Sequence, residues 1–170
     1  GLPVLGTLGV SVGEDDAVRF RLEISHAGDA AVHAGLDFPL LRGLRIGSAD
    51  GTWCFHPERG GLGIRLAPDV EARRGPDFPL QVMGVFSAAG GGLSVGTESD
   101  ALEDGVWGMR KTDFGVDMGI RREIGALSPG QSARLAPLVL RAHTGDWRRA
   151  FGLYREWLQN RQPAQHGRAE

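Results

Sequence analysis

From Val18 to Ile24 apolar and polar residues alternate without a break, and this alternation limits the possible folds more than any other feature of the chain. Val18, Phe20, Leu22 and Ile24 fall on one face of an extended backbone, and Arg19, Arg21 and Glu23 fall on the other. A strand with one dry and one wet face needs a layer to cover its dry side. His26 to Asp29 supplies a turn, Ala30 to Phe38 reads as the returning strand, and Leu40 to Ile46 as a third. Strand character returns at Leu80–Phe86, which Ala88-Ala89-Gly90-Gly91 turns into a partner at Gly92–Thr97. Val106–Thr112, Val116–Arg122 and Arg134–His143 follow, the last after the turn Ser128-Pro129-Gly130-Gln131. Short strands at this spacing predict an antiparallel β-sandwich. Residues 56–77 are rich in turn formers around the brief apolar run Leu62–Leu66, and are expected to form a long excursion from it.

Near the end the period changes. Trp147, Ala150, Phe151, Tyr154, Trp157 and Leu158 recur at helical spacing, with Asp146 placed to cap the first turn. The expected organisation is a sandwich over residues 1–144, a helix over 145–160 packed on it, and a linker or tail over 161–170. The fold class is therefore mainly β with one C-terminal helix.

The totals exclude several classes of function. The chain has 170 residues and a net charge of −2, with acids and bases interspersed, which predicts no nucleic-acid partner and no anionic membrane surface. No stretch approaches the roughly 18 apolar residues of a membrane span. Cys54 is the only cysteine, so no internal disulfide forms and the compartment stays open. The chain opens at Gly1 without a Met or a leader, as a piece of a longer protein would.

Few motifs carry chemistry. Gly92-Leu93-Ser94-Val95-Gly96 fits the G-x-S-x-G elbow, which needs a strand-to-helix turn, yet it lies within a period-two run. Gly90-Gly91-Gly92 lacks the Lys-Ser/Thr of a phosphate loop. Glu98, Asp100, Glu103 and Asp104 gather acids that a solvated loop explains. Paired carboxylates also serve glycoside hydrolysis and hard oxygens suit Ca²⁺, but the expectation is that no cofactor is bound. His26, His33, His56, His143 and His166 show no metal-ligand spacing. Trp147 and Trp157 belong to the apolar helix face. Trp53 and Trp107 lie at strand ends near polar loops, where an aromatic ring packs in a core, anchors a domain interface or stacks on a sugar.

Four stretches resemble a known family. They are Phe38-Pro39-Leu40, Phe78-Pro79-Leu80-Gln81-Val82-Met83, and Gly91-Gly92-Leu93-Ser94-Val95-Gly96-Thr97 with its acidic turn and Lys111. The fourth is Gly145-Asp146-Trp147 with Tyr154-Arg155-Glu156-Trp157. In order and spacing they are similar to the galactose-mutarotase-like β-supersandwich domain that precedes the (β/α)8 barrel of retaining glycoside hydrolases, including barrel enzymes related to α-galactosidases and endo-α-N-acetylgalactosaminidases. The resemblance covers most of residues 15–160. It implies a non-catalytic accessory domain whose partners are the catalytic barrel of the same parent chain and carbohydrate. The catalytic carboxylates of such enzymes belong to the barrel, so no catalytic residue carries over. Glu98 and Ser99 stand where similar sequences often show a His-Asp pair.

The candidate carbohydrate or domain-interface contacts are Trp53, His56, Glu98, Asp100 and Trp107. Two other classes remain open, a stand-alone carbohydrate-binding module and a structural or interaction sandwich unrelated to sugars. An exposed apolar patch beside the helix favours the accessory domain, because a severed interface leaves one. A concave sheet face lined by aromatics favours the sugar module. A mutarotase acting in its own right would need a paired His and Glu that the sequence does not offer.

Overall fold

In the computed structural model, residues 3–48, 51–58, 61–66, 69–74, 80–99 and 105–161 are described. The strands are β1 (Val4–Val12), β2 (Val18–His26), β3 (Val32–Leu44), β4 (Thr52–Glu58), β5 (Gly61–Arg65), β6 (Asp69–Arg74), β7 (Val82–Ser87), β8 (Gly92–Thr97), β9 (Gly105–Thr112), β10 (Gly115–Leu127), β11 (Ser132–Arg134) and β12 (Leu138–His143). One helix, α1 (Trp147–Arg161), follows. All strand pairs are antiparallel. The larger sheet runs β1-β2-β12-β8-β7-β4-β5, with β11 beside β12 on the same flank of β2, and the smaller runs β3-β10-β9-β6. The chain is an antiparallel β-sandwich with one C-terminal helix.

The sheets meet over a single apolar layer. Cys54, Met83, Val85, Val95 and Leu138 come from the larger sheet, and Trp107, Met109, Val116, Met118 and Ile120 from the smaller. Burying each of the larger of these side chains contributes about 1.5–3 kcal/mol. Buried and more exposed positions alternate over residues 105–110 of β9 and 116–122 of β10: Trp107 and Met109 point inward, while Val106, Gly108 and Arg110 lie on the outer face. β7 lacks any alternation because all six of its residues are buried. Its Met83 and Val85 face the smaller sheet, and its Val82 and Phe86 face α1.

α1 packs across β7, β8 and β12 and makes a third layer. Its Ala150 and Tyr154 join Phe55, Val82 and Phe86 in a second core, flanked by Trp53, Trp147, Phe151, Trp157 and Leu158. The Asp146 carboxylate accepts the backbone N–H of Arg148 at 2.9 Å, the expected cap on the first turn. A helix of 15 residues is marginal alone, so this packing holds it in place. Small residues on β7 and β8 allow the layers to approach. A Cβ on Gly84 would fall 2.4 Å from the Leu93 carbonyl oxygen and 2.7 Å from the Phe55 ring.

Three expectations need correction. The described residues of 56–77 belong to the sheets: β4 and β5 form a hairpin at one edge of the larger sheet, and β6 edges the smaller one. The two strands expected at 30–38 and 40–46 are one, Val32–Leu44, which bends along β10 through register shifts. The strand expected at 134–143 is interrupted before Leu138, giving β11 and β12. β1, which the sequence reading left unassigned, forms the other edge of the larger sheet.

Candidate functional site

The sequence-predicted contact residues among the described ones do not converge. Trp107 is 3% exposed and lies between the sheets. Its ring is core, with no face open to a sugar. Trp53 is half-buried on β4, on the side of the larger sheet that carries α1, and its ring stacks on Phe86 at 6.4 Å between centroids. His56, buried three residues further along β4, shares the inner face with Cys54. Its Nε2 approaches the Glu58 carboxylate at 3.5 Å, and that carboxylate also takes a 2.6 Å ion pair from Arg65. Asp100 lies outside the described residues, as do Glu103 and Asp104.

Glu98 anchors a charge cluster that spacing alone does not announce. Arg19 on β2 donates to Glu98 through Nε at 3.0 Å and to Asp15 through both terminal nitrogens at 2.7 Å. Arg141 on β12 donates to Glu98 at 2.8 Å and to Asp15 at 3.0 Å. Two carboxylates and two guanidiniums thus alternate, tying the β1–β2 turn to the end of β8 and to β12. The hydrogen bond from Arg19, supported by Arg141, holds Asp15 far below the usual carboxylate range against the opposing effect of burial. The bond to Asp15, then that to Glu98, raises the affinity of Arg19 for its proton. Glycoside hydrolysis needs one carboxyl poised as an acid. These two share their cations instead, and the arrangement works as a clasp.

The remaining nucleophiles are tied down. Ser94 sits in mid-strand on β8, buried, with its Oγ 3.5 Å from the Arg141 carbonyl oxygen. The strand-to-helix turn of an esterase elbow is not formed there. Burial pushes the Cys54 thiol up to about 12, which keeps the reactive thiolate scarce at neutral pH. Among the described residues, no three His, Cys, Asp or Glu side chains come together to hold a metal ion. No described helix is long and apolar enough to cross a membrane.

Among the described residues, two of the open concavities bear on function. The first runs along α1 beside Leu80, measures about 370 Å³, and is lined by Leu80, Trp147, Phe151, Tyr154 and Leu158, with Arg148 and Arg155 next to them. Trp147 meets Phe151 edge-on at 5.9 Å, and the Arg148 guanidinium lies 4.8 Å from the Trp147 ring centre. The second is a trough of about 300 Å³ on the outer face of the smaller sheet. The paired glycines Gly108 and Gly119 make its floor, and the ion pairs Asp37–Arg121 at 2.9 Å and Asp117–Arg110 at 3.6 Å stand along it. Neither concavity was expected residue by residue, although the helix aromatics that line the first were visible as a stripe.

The chain matches no protein-family profile and no curated protein.

Proposed function

We propose that this chain is a non-catalytic accessory domain of a glycoside hydrolase, and that it supports the catalytic barrel of its parent chain through the apolar cleft along α1. The observation that carries this reading is the half-buried state of Trp147, Phe151 and Leu158 around that cleft. The apolar stripe of the helix seals a core against β7 and β8 through Ala150 and Tyr154, while Trp147, Phe151 and Leu158 at its flank stay partly open to water. Aromatic side chains in a concave, rimmed surface are the usual anchors of a protein interface. The helix is the last described element, and the family resemblance puts the handover to a barrel at such a helix. The clasped carboxylates of Asp15 and Glu98 fit a supporting role, since each is bound by both Arg19 and Arg141.

Reading the gene beyond Glu170 tests this directly. A (β/α)8 barrel carrying two facing carboxylates supports the proposal, and a stop codon or an unrelated domain sinks it. With a barrel in hand, Leu158→Asp should weaken its association with this chain while leaving the sandwich folded.

A second reading, a carbohydrate-binding module, is favoured by the trough on the smaller sheet. Its Asp–Arg pairs offer acceptors and donors for sugar hydroxyls beside the paired Gly108 and Gly119. It lacks the aromatic platform such modules use, because Trp107 points to the other side of the sheet. Calorimetric titration with an oligosaccharide panel separates the two: saturable binding abolished by Arg121→Ala would favour the module.

A further inference from the structure

We propose that β1 is a dimerisation edge, on which β1 of a second copy of this chain pairs antiparallel and joins two larger sheets into one. β1 is nine residues long and lies at the end of the larger sheet. It pairs with β2 in unbroken register from Val4↔His26 to Val12↔Val18. An antiparallel strand turns alternate peptide groups toward each side, so about half of the N–H and C=O groups of β1 point away from β2. Among the described residues no strand pairs with that outer side.

Exposed edges of this kind ordinarily carry a lysine, a proline, a bulge or an inward charge that blocks further pairing. Val4-Leu5-Gly6-Thr7-Leu8-Gly9-Val10-Ser11-Val12 has none of them. Instead Leu8, Val10 and Val12 form a row on one face, 50%, 58% and 69% exposed. Their neighbours on β2 are Leu22, Phe20 and Val18, so the row prolongs the inner, apolar face of the sheet.

The glycines supply an independent indication. Glycine weakens a strand interior, and there it often marks a place where another backbone comes close. Nothing inside the monomer requires it at these positions. A Cβ on Gly6 would meet only Leu22 at 3.9 Å, and one on Gly9 would meet Arg21 at 3.8 Å, both ordinary contact distances.

A second copy fits this edge better than a foreign strand because β1 is complementary to itself. Paired residues must point to the same side of the joint sheet, which restricts a two-fold to one residue facing its own copy. Centring it on Leu8 uses all nine residues. Leu8 then faces Leu8, Val10 faces Gly6 and Val12 faces Val4 on the apolar side, while Leu5 faces Ser11 and Thr7 faces Gly9 on the other. Each glycine leaves room opposite a larger residue, and no like charges meet. Such an isologous pairing closes at two copies.

Sedimentation equilibrium on the full chain should give a dimer, and Leu8→Lys, which sets two like charges face to face, should give a folded monomer with an unchanged circular dichroism spectrum. Residues facing each other across such a pair have Cα atoms about 4.5–5.5 Å apart, within disulfide reach. Mild oxidation of Leu8→Cys should therefore link the dimer, whereas Val12→Cys, which faces Val4, should link far more slowly. Cys54 is buried and will not compete. A monomeric wild type, equal linking of the two cysteine variants, or a dimer lost with Leu158→Asp but kept with Leu8→Lys would each overturn the proposal. These outcomes leave the accessory-domain reading untouched, because that reading rests on the α1 cleft.

Discussion

Glu98 and Arg141 meet at 2.8 Å with side chains only 13% and 14% exposed, and through them the end of β8 is fastened to β12. The same carboxylate takes Arg19 from β2, so one acidic side chain gathers cations from two other strands. Removing one partner of a buried pair leaves the other charge in a poor solvent. Glu98→Gln should therefore cost about 2–4 kcal/mol, slightly less than full burial would give because Asp15 still serves both arginines. Urea unfolding of wild type and Glu98→Gln measures it. Equal midpoints would mean that the clasp contributes nothing. The variant should not alter any glycosidase activity of a parent enzyme beyond what its lowered stability explains.

The two arginines of that clasp show what the sequence could and could not reveal. Arg19 stands on the polar side of the alternation that marks β2, so its strand and its face were legible. Its partner Glu98 lies 79 residues away, and no local pattern encodes that approach. The same division holds for the fold. β2, β7 to β10 and α1 follow from period and turn residues, while β4 to β6 were hidden because turn formers dominate residues 56–77. β1 escaped because Gly6 and Gly9 dilute its alternation. Trp107 read equally well as core or contact: position on a strand does not say which face another layer covers.

His143 gives the domain a stability that depends on pH. Burial lowers its proton affinity, Arg149 adds to that, and the Thr144 carbonyl and Asp146 oppose it. The unfolded chain binds a proton near the ordinary histidine pKa of about 6.5, whereas the folded chain takes it up only at lower pH. Stability is thus complete above about pH 6.5 and falls as the pH drops from there through the folded value. His143→Gln should flatten that slope between neutral and mildly acid solution. Melting curves across that interval check it, and parallel pH profiles for the two proteins would assign the sensitivity to another group.

Gly84 tests how tightly the three layers fit. A methyl group there would press on the Leu93 carbonyl oxygen and on Phe55, and the first of these is backbone that cannot swing aside. Gly84→Ala should destabilise by about 1–3 kcal/mol, the usual cost of overpacking. Glycine-to-alanine changes otherwise tend to stabilise by restricting the unfolded chain. An unchanged or raised melting temperature would therefore show that β7 and β8 have more room than the structure gives them.

The last prediction concerns which side of α1 holds the domain together. Tyr154 is buried in the second core, and Trp157 stacks on it with 5.7 Å between ring centres and 28° between planes. Trp157 is only half-buried. Trp157→Ala should therefore cost less than the 3–5 kcal/mol of a fully enclosed aromatic, about 2–3 kcal/mol. For a chain of this size each kcal/mol lowers the melting temperature by roughly 2–4 °C, so a fall of about 4–12 °C is expected. Leu158, one residue further along the helix, flanks the same core from the edge of the open cleft, and Leu158→Asp should shift the melt less than Trp157→Ala does. Thermal melts of the two variants side by side distinguish the faces. A shift under about 2 °C for Trp157→Ala would mean that the aromatic stripe of α1 contributes little to the sandwich, and that its stabilising contacts lie with a partner outside this domain.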